Sequence, residues 1–518
     1  MGSTAILAGC GLRHDIEGGF TGIDVTRGHA FRDGSLRAGA APDVERRVRV
    51  VIAGGGVAGL AAARALRLAG TEDFVLLEME DVAGGNSRGG TVGGIPCPLG
   101  AHYLPVPGND AHEVQDLLEE LGLRQRVAGR WEYDERHLCH SPQERLFFRG
   151  AWQEGLLPLQ DVDGSTLAQY RQFSRRIEAL RREARFAIPT LRSNLSPLLM
   201  ALDAVPFQAW LDRERFTDPH LRWYLDYCCR DDYGAGMAHV SAWAGIHYFA
   251  SRHGFHAPGE DNAERDAVLT WPEGNGWLTR QLALPLGDRL KSGQAVTRLA
   301  ESRDGVEVDA FDFATRSRVR WKARQCVVAL PVFVAARIVE NPPERLRQAA
   351  THLRHAPWLV ANVHVRSALI DRSGAAPSWD NVLYGARGLG YVDARHQSLD
   401  PTPGATVLTW YRPLGPSAFD GEDGRGQLLD RPWTAWRDEL ISDLSQPHPD
   451  LTDVATRIDI TRYGHAMAIP RPGLLRQLDP TSAQIGTRRL AFAHSDWSGY
   501  SIFEEAFTRG HVAGASLA

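Results

Sequence analysis

Lysine is nearly absent. Of 58 basic residues only Lys291 and Lys322 are lysines, so any chemistry that needs an amine side chain has two candidates. Cysteine is sparse too. The six cysteines, Cys10, Cys97, Cys139, Cys228, Cys229 and Cys326, form no Cys-x-x-Cys pair and no metal-ligand spacing, which points to buried free thiols and away from a metal enzyme. Cys228 and Cys229 adjoin in a predicted helix and face different ways. Missing as well is any uninterrupted apolar run long enough to cross a bilayer. Positive charge is not in excess: the formal net charge is -5, which removes the electrostatic case for nucleic acid.

What is present is bulk. At 518 residues, with 43% hydrophobic and 23% charged side chains, the chain has the make-up of a globular protein too long for one ordinary core, and two domains are expected. Its first residues leave two readings open. Leu7-Ala8-Gly9-Cys10 resembles a bacterial lipobox, which would make the protein exported and lipid-anchored through Cys10 if the native start lies upstream. The residues before it are too few, and carry no positive charge, to make a working signal peptide; the other reading is a chance match in a cytoplasmic protein. Gly11 to Glu45 is rich in Gly, Asp and Arg with weak periodicity, as a tether or surface arm would be.

The chain is organised around Val48 to Glu78. A β-branched run enters Gly54-x-Gly56-x-x-Gly59, an Ala/Leu helix pattern follows, and a second apolar run, Phe74 to Leu77, ends in Glu78. Each glycine has a job in a dinucleotide-binding turn. Gly54 permits the tight strand-to-helix turn, Gly56 lets backbone approach a pyrophosphate, and Gly59 lets the helix pack closely on the strand. The helix-start N–H groups, with Val57 and Ala58, then face the phosphates. Glu78, nineteen residues past Gly59 and followed by Met79, is placed to accept from ribose hydroxyls. An acid there would repel a 2′-phosphate. A second glycine cluster, Gly84-Gly85-Asn86-Ser87-Arg88, offers backbone access and a cation for phosphate. Gly100-Ala101-His102-Tyr103 suits a backbone passing a flat ring system.

These four motifs together resemble the flavin-containing amine oxidase superfamily, which includes protoporphyrinogen oxidases and carotenoid desaturases. The resemblance implies FAD as cofactor, in an α/β fold with a Rossmann-type FAD domain interleaved with a mixed-sheet and helical substrate domain. It places Asn86 where the superfamily has arginine, and Val296 where a strand meets the adenine by its backbone. The closing segment, Arg489 to Asp496 followed by Trp497-Ser498-Gly499-Tyr500 and a helix from Phe503, resembles the superfamily's last motif. That implies Ser495, Asp496, Ile502 and Phe503 near the flavin, with Asp496 as a displaced acid and Tyr500 as a candidate substrate-side aromatic wall. Monoamine-oxidase-like members carry a lysine that here falls in Leu359-Val360-Ala361-Asn362 and is missing. The run from Arg462 to Gly473 is closer to the desaturase branch.

The FAD domain is expected over 46–158, 266–342 and 482–518, and the substrate domain over 159–265 and 343–481, with 1–45 as an arm or truncated export signal. Helical periodicity covers 111–127 and 166–187 and continues through Leu198 to Leu211, interrupted by Pro206, and Asp218 to Cys229. The pattern then breaks at Asp231-Asp232. Both acids are placed to attract a cationic substrate, Asp232 being the catalytic-site candidate beside Tyr500; helix caps or surface charges are the competing reading. The function expected is FAD-dependent oxidation of an amine by hydride transfer to flavin N5. A desaturase-like dehydrogenation of an apolar substrate and a non-catalytic flavin-binding protein are the alternatives. Oligomeric state is left open.

Overall fold

The computed structural model describes residues 15–33, 36, 41–139, 143–252, 254–259, 267–397 and 402–518. A five-stranded parallel sheet runs Leu290–Lys291, Phe74–Leu77, Val50–Ala53, Gln325–Val328, Leu490–Phe492 in spatial order. Its inner strands read as unbroken apolar runs because both faces are covered. Val50 and Ile52 enter one core, with the Val57–Leu68 and Phe503–Ser516 helices. Their neighbours Val51 and Ala53 enter another, against the antiparallel strands Gln294–Glu301, Val306–Asp312 and Ser317–Ala323. The two-residue period of a strand divides one sequence between two cores.

A second sheet has eight strands, in the order Glu17–Thr21, Ala455–Ala468, His355–Val365, Thr406–Pro413, Tyr391–Asp393, Asp380–Leu383, Glu144–Phe148, Ala151–Glu154. Trp358 and Val360 face a lobe of helices, while Leu359, Ala361 and Val363 pack on the Trp433–Leu444 helix behind. The helical lobe comprises Gly164–Glu183, Pro197–Asp203, Phe207–Arg213, Pro219–Tyr233 and Ala242–Ala250. Four of these start on a capping side chain, from Asp163, Ser196, Asp218 and Ser241, each satisfying N–H groups the first turn leaves open.

Several expectations need correction. The stretch read as a tether supplies Glu17–Thr21 to the larger sheet and adds Val44–Arg47, in parallel, to Ser317–Ala323 at the edge of the four-stranded one. Both are edge strands with mostly exposed side chains, so they leave no hydrophobic alternation to read. Glu144–Phe148 and Ala151–Glu154, assigned to the FAD domain, are strands of the larger sheet. Arg124–Val127 is a hairpin strand, because the preceding helix ends at Glu120. Asp231 and Asp232 do not follow a helix but lie in its last turn, which runs to Tyr233 and ends on Gly234 in the left-handed conformation. The Leu7–Cys10 motif lies outside the described residues. The five cysteines within them are free and buried.

Candidate active site

The cradle is built by close approaches that only glycine permits. A Cβ on Gly54, whose φ is +101°, would meet the Ala329 carbonyl at 2.3 Å, and one on Gly59 would meet the Gly54 carbonyl at 1.8 Å. Gly56 is different: nothing but Gly85 Cα, at 3.9 Å, lies near its missing Cβ. The first and third glycines therefore serve packing, and the second leaves space over the start of the Val57–Leu68 helix, which has no side-chain cap. Glu78 accepts the Gly55 and Glu80 N–H groups at 2.8 Å each. Burial pushes its pKa up, and those two donors pull against it.

Gly84 N–H bonds the Gly55 carbonyl at 2.8 Å, which folds the second glycine cluster onto the first. Asn86 reaches the Ala466 carbonyl at 2.7 Å, and its own carbonyl receives the Ala101 N–H at 2.9 Å. Gly100 is tight here, since a Cβ would lie 2.1 Å from Asn86 O. Arg88 donates to Gly22 and Val82 carbonyls at 3.0 and 2.9 Å. Its Nε, and Oε1 of Glu80, are buried without partners. A spare buried donor, an open second glycine and an uncapped helix start fit the anionic pyrophosphate of a dinucleotide. The glycines, Val57, Ala58, Glu78, Met79 and Arg88 are therefore gathered at one site, and Val296 lies near it: Gln294, two residues earlier on its strand, donates its N–H to the Glu78 carbonyl at 2.8 Å.

The Phe503–Ser516 helix crosses the Val57–Leu68 helix at Gly510 and Gly514, where a Cβ would meet the Ala58 and Ala62 carbonyls at 2.0 and 2.5 Å. Ile502 is its N-cap and supplies no capping side chain. Phe503 is buried and stacks on Phe507 at 5.6 Å. Glu504 and Glu505 occupy that helix's first turn, both buried, so of this packed pair it is the start of the Val57–Leu68 helix, without an acid or a side-chain cap, that suits an anionic ligand. Ser495 is buried in the preceding turn. Asp496, expected to face the cofactor, is already engaged. His355 Nε2 donates to one oxygen at 3.0 Å and the Val332 N–H to the other at 2.9 Å. Burial pushes this carboxyl up, but the His355 and His494 rings outweigh it and hold it well below the usual carboxylate range.

Between the larger sheet and the helical lobe lies an aromatic group. His102 stacks on Tyr411 at 4.5 Å and lies 4.8 and 5.3 Å from Tyr103 and Trp379. Burial pushes the His102 pKa down to about 3, so the ring is neutral. Burial raises the hydroxyls of Tyr103, Tyr227 and Tyr411, and Asp231 and Asp380 add to it in all three, so both charges act on this group. Asp231 makes no hydrogen bond or ion pair with any described residue. Burial and the Asp232 charge push it up to about 7, against Arg252 and Arg230. Burial, Glu144 and Asp231 likewise push Asp380 well above the usual range.

The two residues named as catalytic do meet, but they satisfy each other. Tyr500 is fully buried and donates its hydroxyl to Asp232 Oδ2 in a short contact. Arg252 bonds that same oxygen at 3.2 Å and the Tyr500 hydroxyl at 2.9 Å. Tyr500 is therefore no open aromatic wall, and Asp232 is already neutralised. Its helix neighbour Asp231 is the free acid. Asp380, Arg252, Trp379 and Tyr411 escaped sequence reasoning, since each sits on a different element without a local motif. Neither lysine joins the site: Lys322 pairs with Glu45 at 2.8 Å, and Lys291 ends an edge strand. Asn362 is buried between the Pro98 carbonyl at 3.0 Å and the Thr409 hydroxyl at 2.7 Å.

The sequence profile described as flavin containing amine oxidoreductase matches residues 57–513. The chain belongs to that family. FAD is its cofactor, in agreement with the cradle. Rice (Oryza sativa subsp. japonica) polyamine oxidase 4 is 27% identical over 331 residues, 60% of this chain and 58% of its own length. Human flavin-containing amine oxidase B is 25% identical over 303 residues, 57% of this chain and 52% of its own. The chain thus spans between half and three fifths of these curated relatives. Among solved structures, putrescine oxidase bound to putrescine superposes with a TM-score of 0.69 at 18% identity, covering 91% of this chain and 99% of that one. Cyclohexylamine oxidase from Brevibacterium oxydans gives 0.65 at 18%, covering 91% and 98%. At that identity the likeness shows the fold.

Proposed function

We propose that this chain oxidises a cationic amine with FAD. The observation that carries the reading is Asp231, a desolvated carboxylate that makes no ion pair with any described residue and whose charge acts on the Tyr103, Tyr227 and Tyr411 hydroxyls. An unpaired acid in such a place costs stability and is retained where a ligand supplies the missing cation. The ring faces add attraction for an ammonium group. An apolar substrate, the desaturase-like alternative, would leave that cost uncompensated.

Held by the glycine cradle, FAD would supply the electron sink for removal of a hydride from the carbon beside the amine nitrogen. The protein's own groups do the rest. Asp231 draws in the ammonium group, and neutral His102 adds no repelling charge. Burial narrows the gap between that carboxyl and an alkyl ammonium from about 6.5 to about 3.4 pKa units, which eases transfer of the ammonium proton to Asp231. The imine product hydrolyses to an aldehyde, and dioxygen or another acceptor takes the electrons. No step calls on a lysine.

Asp380 favours a substrate with two ammonium groups. Its carboxyl is raised by burial, Glu144 and Asp231, and it acts on the same tyrosines as Asp231. Polyamine oxidase 4 and putrescine oxidase are named for such substrates. The test is aldehyde production from a diamine and from the monoamine of equal chain length. A diamine preference that Asp380→Asn removes supports the reading; equal rates on both, unaffected by that variant, contradict the second ammonium site.

A further inference from the structure

The family match begins at residue 57, yet the segment before it is built into the cofactor cradle. Glu17–Thr21 pairs in parallel with Arg457–Thr461 on the edge of the larger sheet. It is seated closely there: a Cβ on Gly18 would fall 1.8 Å from the Ile458 carbonyl, and one on Gly22 would fall 2.7 Å from Thr461 Oγ1. From that anchor the chain crosses to the other sheet. The Gly22 carbonyl accepts from Arg88 at 3.0 Å, and the Asp24 N–H bonds Glu80 Oε2 at 3.4 Å. Arg27 donates to the Met79 carbonyl at 3.1 Å and to Asp81 at 2.8 Å, with its guanidinium 4.9 Å over the Phe313 ring.

We propose that Glu17 to Arg27 is a clasp that retains the flavin cofactor, tying the Met79–Arg88 corner of its cradle to the substrate sheet. The inference rests on the FAD assignment above and adds a part to that site. The arm and the Val82 carbonyl each take a bond from one terminal nitrogen of Arg88, which leaves Nε as its one nitrogen that is buried without a partner. Glu80 is fixed in the same way, one oxygen taken by the arm and the other buried without a partner. Two polar atoms with unmet valence at the cradle point to a ligand there, and the arm sets their direction. Gly22 and Arg27 therefore position the cradle without touching the reacting atoms. The Arg27 contacts also close the Met79–Asp81 turn, so release of the cofactor past that corner requires the arm to let go.

The test is the rate of FAD release, followed as the rise in free-flavin fluorescence after dilution of the full-length holoprotein. Arg27→Ala removes two charge-assisted bonds and is expected to speed release by at least about tenfold. Glu17→Ala, on the exposed outer side of the same strand, is expected to release at the wild-type rate. Wild-type release from Arg27→Ala overturns the proposal. So does equal acceleration in both variants with a matching loss of apoprotein stability, which is the mark of a merely structural segment. Amide exchange in the unaltered protein gives a second measure: FAD is expected to slow exchange at Gly18–Thr21, and identical exchange with and without FAD overturns the clasp. Failure to take up FAD at all overturns the cofactor assignment as well as the clasp.

Discussion

Replacing Asp231 by asparagine keeps the size of the side chain and removes its charge. That carboxylate makes no hydrogen bond or ion pair with any described residue, so on the proposed function the loss should fall on the substrate. Removing one member of a buried charge pair costs 2–5 kcal/mol; at about 3 kcal/mol, KM for an amine rises roughly 150-fold. The pH dependence identifies the cause. The ionised form of Asp231 binds the ammonium, and its pKa is pushed up to about 7. Below that value a proton competes with the substrate, so wild-type KM rises about tenfold for each further unit of acid. In Asp231→Asn that dependence disappears. The assay is initial rate against amine concentration from pH 6 to pH 9, fitted separately for KM and kcat. An unchanged KM, or a higher KM that keeps the wild-type pH profile, refutes the assignment.

Stability should move the opposite way. The folded-state pKa of Asp231 lies above the ordinary value near 3.9, so the native state holds an extra proton between the two, loses stability as pH rises from about 3.9 to about 7, and is level above that. Asp231→Asn should therefore out-melt wild type by more at pH 8 than at pH 5, and not at all below about pH 4. Tyr500→Phe deletes the hydroxyl shared by Asp232 and Arg252 and should lower stability by about 1.5–3 kcal/mol while KM stays within about twofold; a large KM effect with intact stability would restore Tyr500 to the substrate wall. Gly56→Ala meets nothing closer than 3.9 Å, so the apoprotein should melt as wild type while FAD affinity falls, as isothermal titration would report. Gly510→Val, by contrast, drives a side chain into the Ala58 carbonyl and should lower both.

The nucleotide half of the site was legible because its physics is local. Strand, tight turn, helix start and acid follow one another in sequence, and each residue type answers a backbone requirement that neighbours impose. The structure adds only a division of labour, with Gly54 and Gly59 set by packing and Gly56 left open. The substrate half is non-local. Asp231 and Asp232 were noticed as a pair, but which one is free depends on Arg252 and Tyr500, distant in sequence from both. Asp380 stands beside Glu144 only because their strands pair in parallel. The arm failed for a different reason. An edge strand with exposed side chains carries no alternation, and its seat is written in backbone contacts at Gly18 and Gly22. Asp496 shows the reverse error, a motif match whose carboxylate is used by His355 and a helix start.

The central claim is that this chain passes electrons from an amine to FAD. The most direct measurement is the visible spectrum of the FAD-loaded protein during anaerobic addition of a diamine, with Asp231→Asn in parallel. The account predicts that the flavin absorbance bleaches in the wild type, returns on admission of an electron acceptor, and bleaches in the variant only at far higher amine concentration. A bound flavin that no mono- or diamine reduces would contradict it.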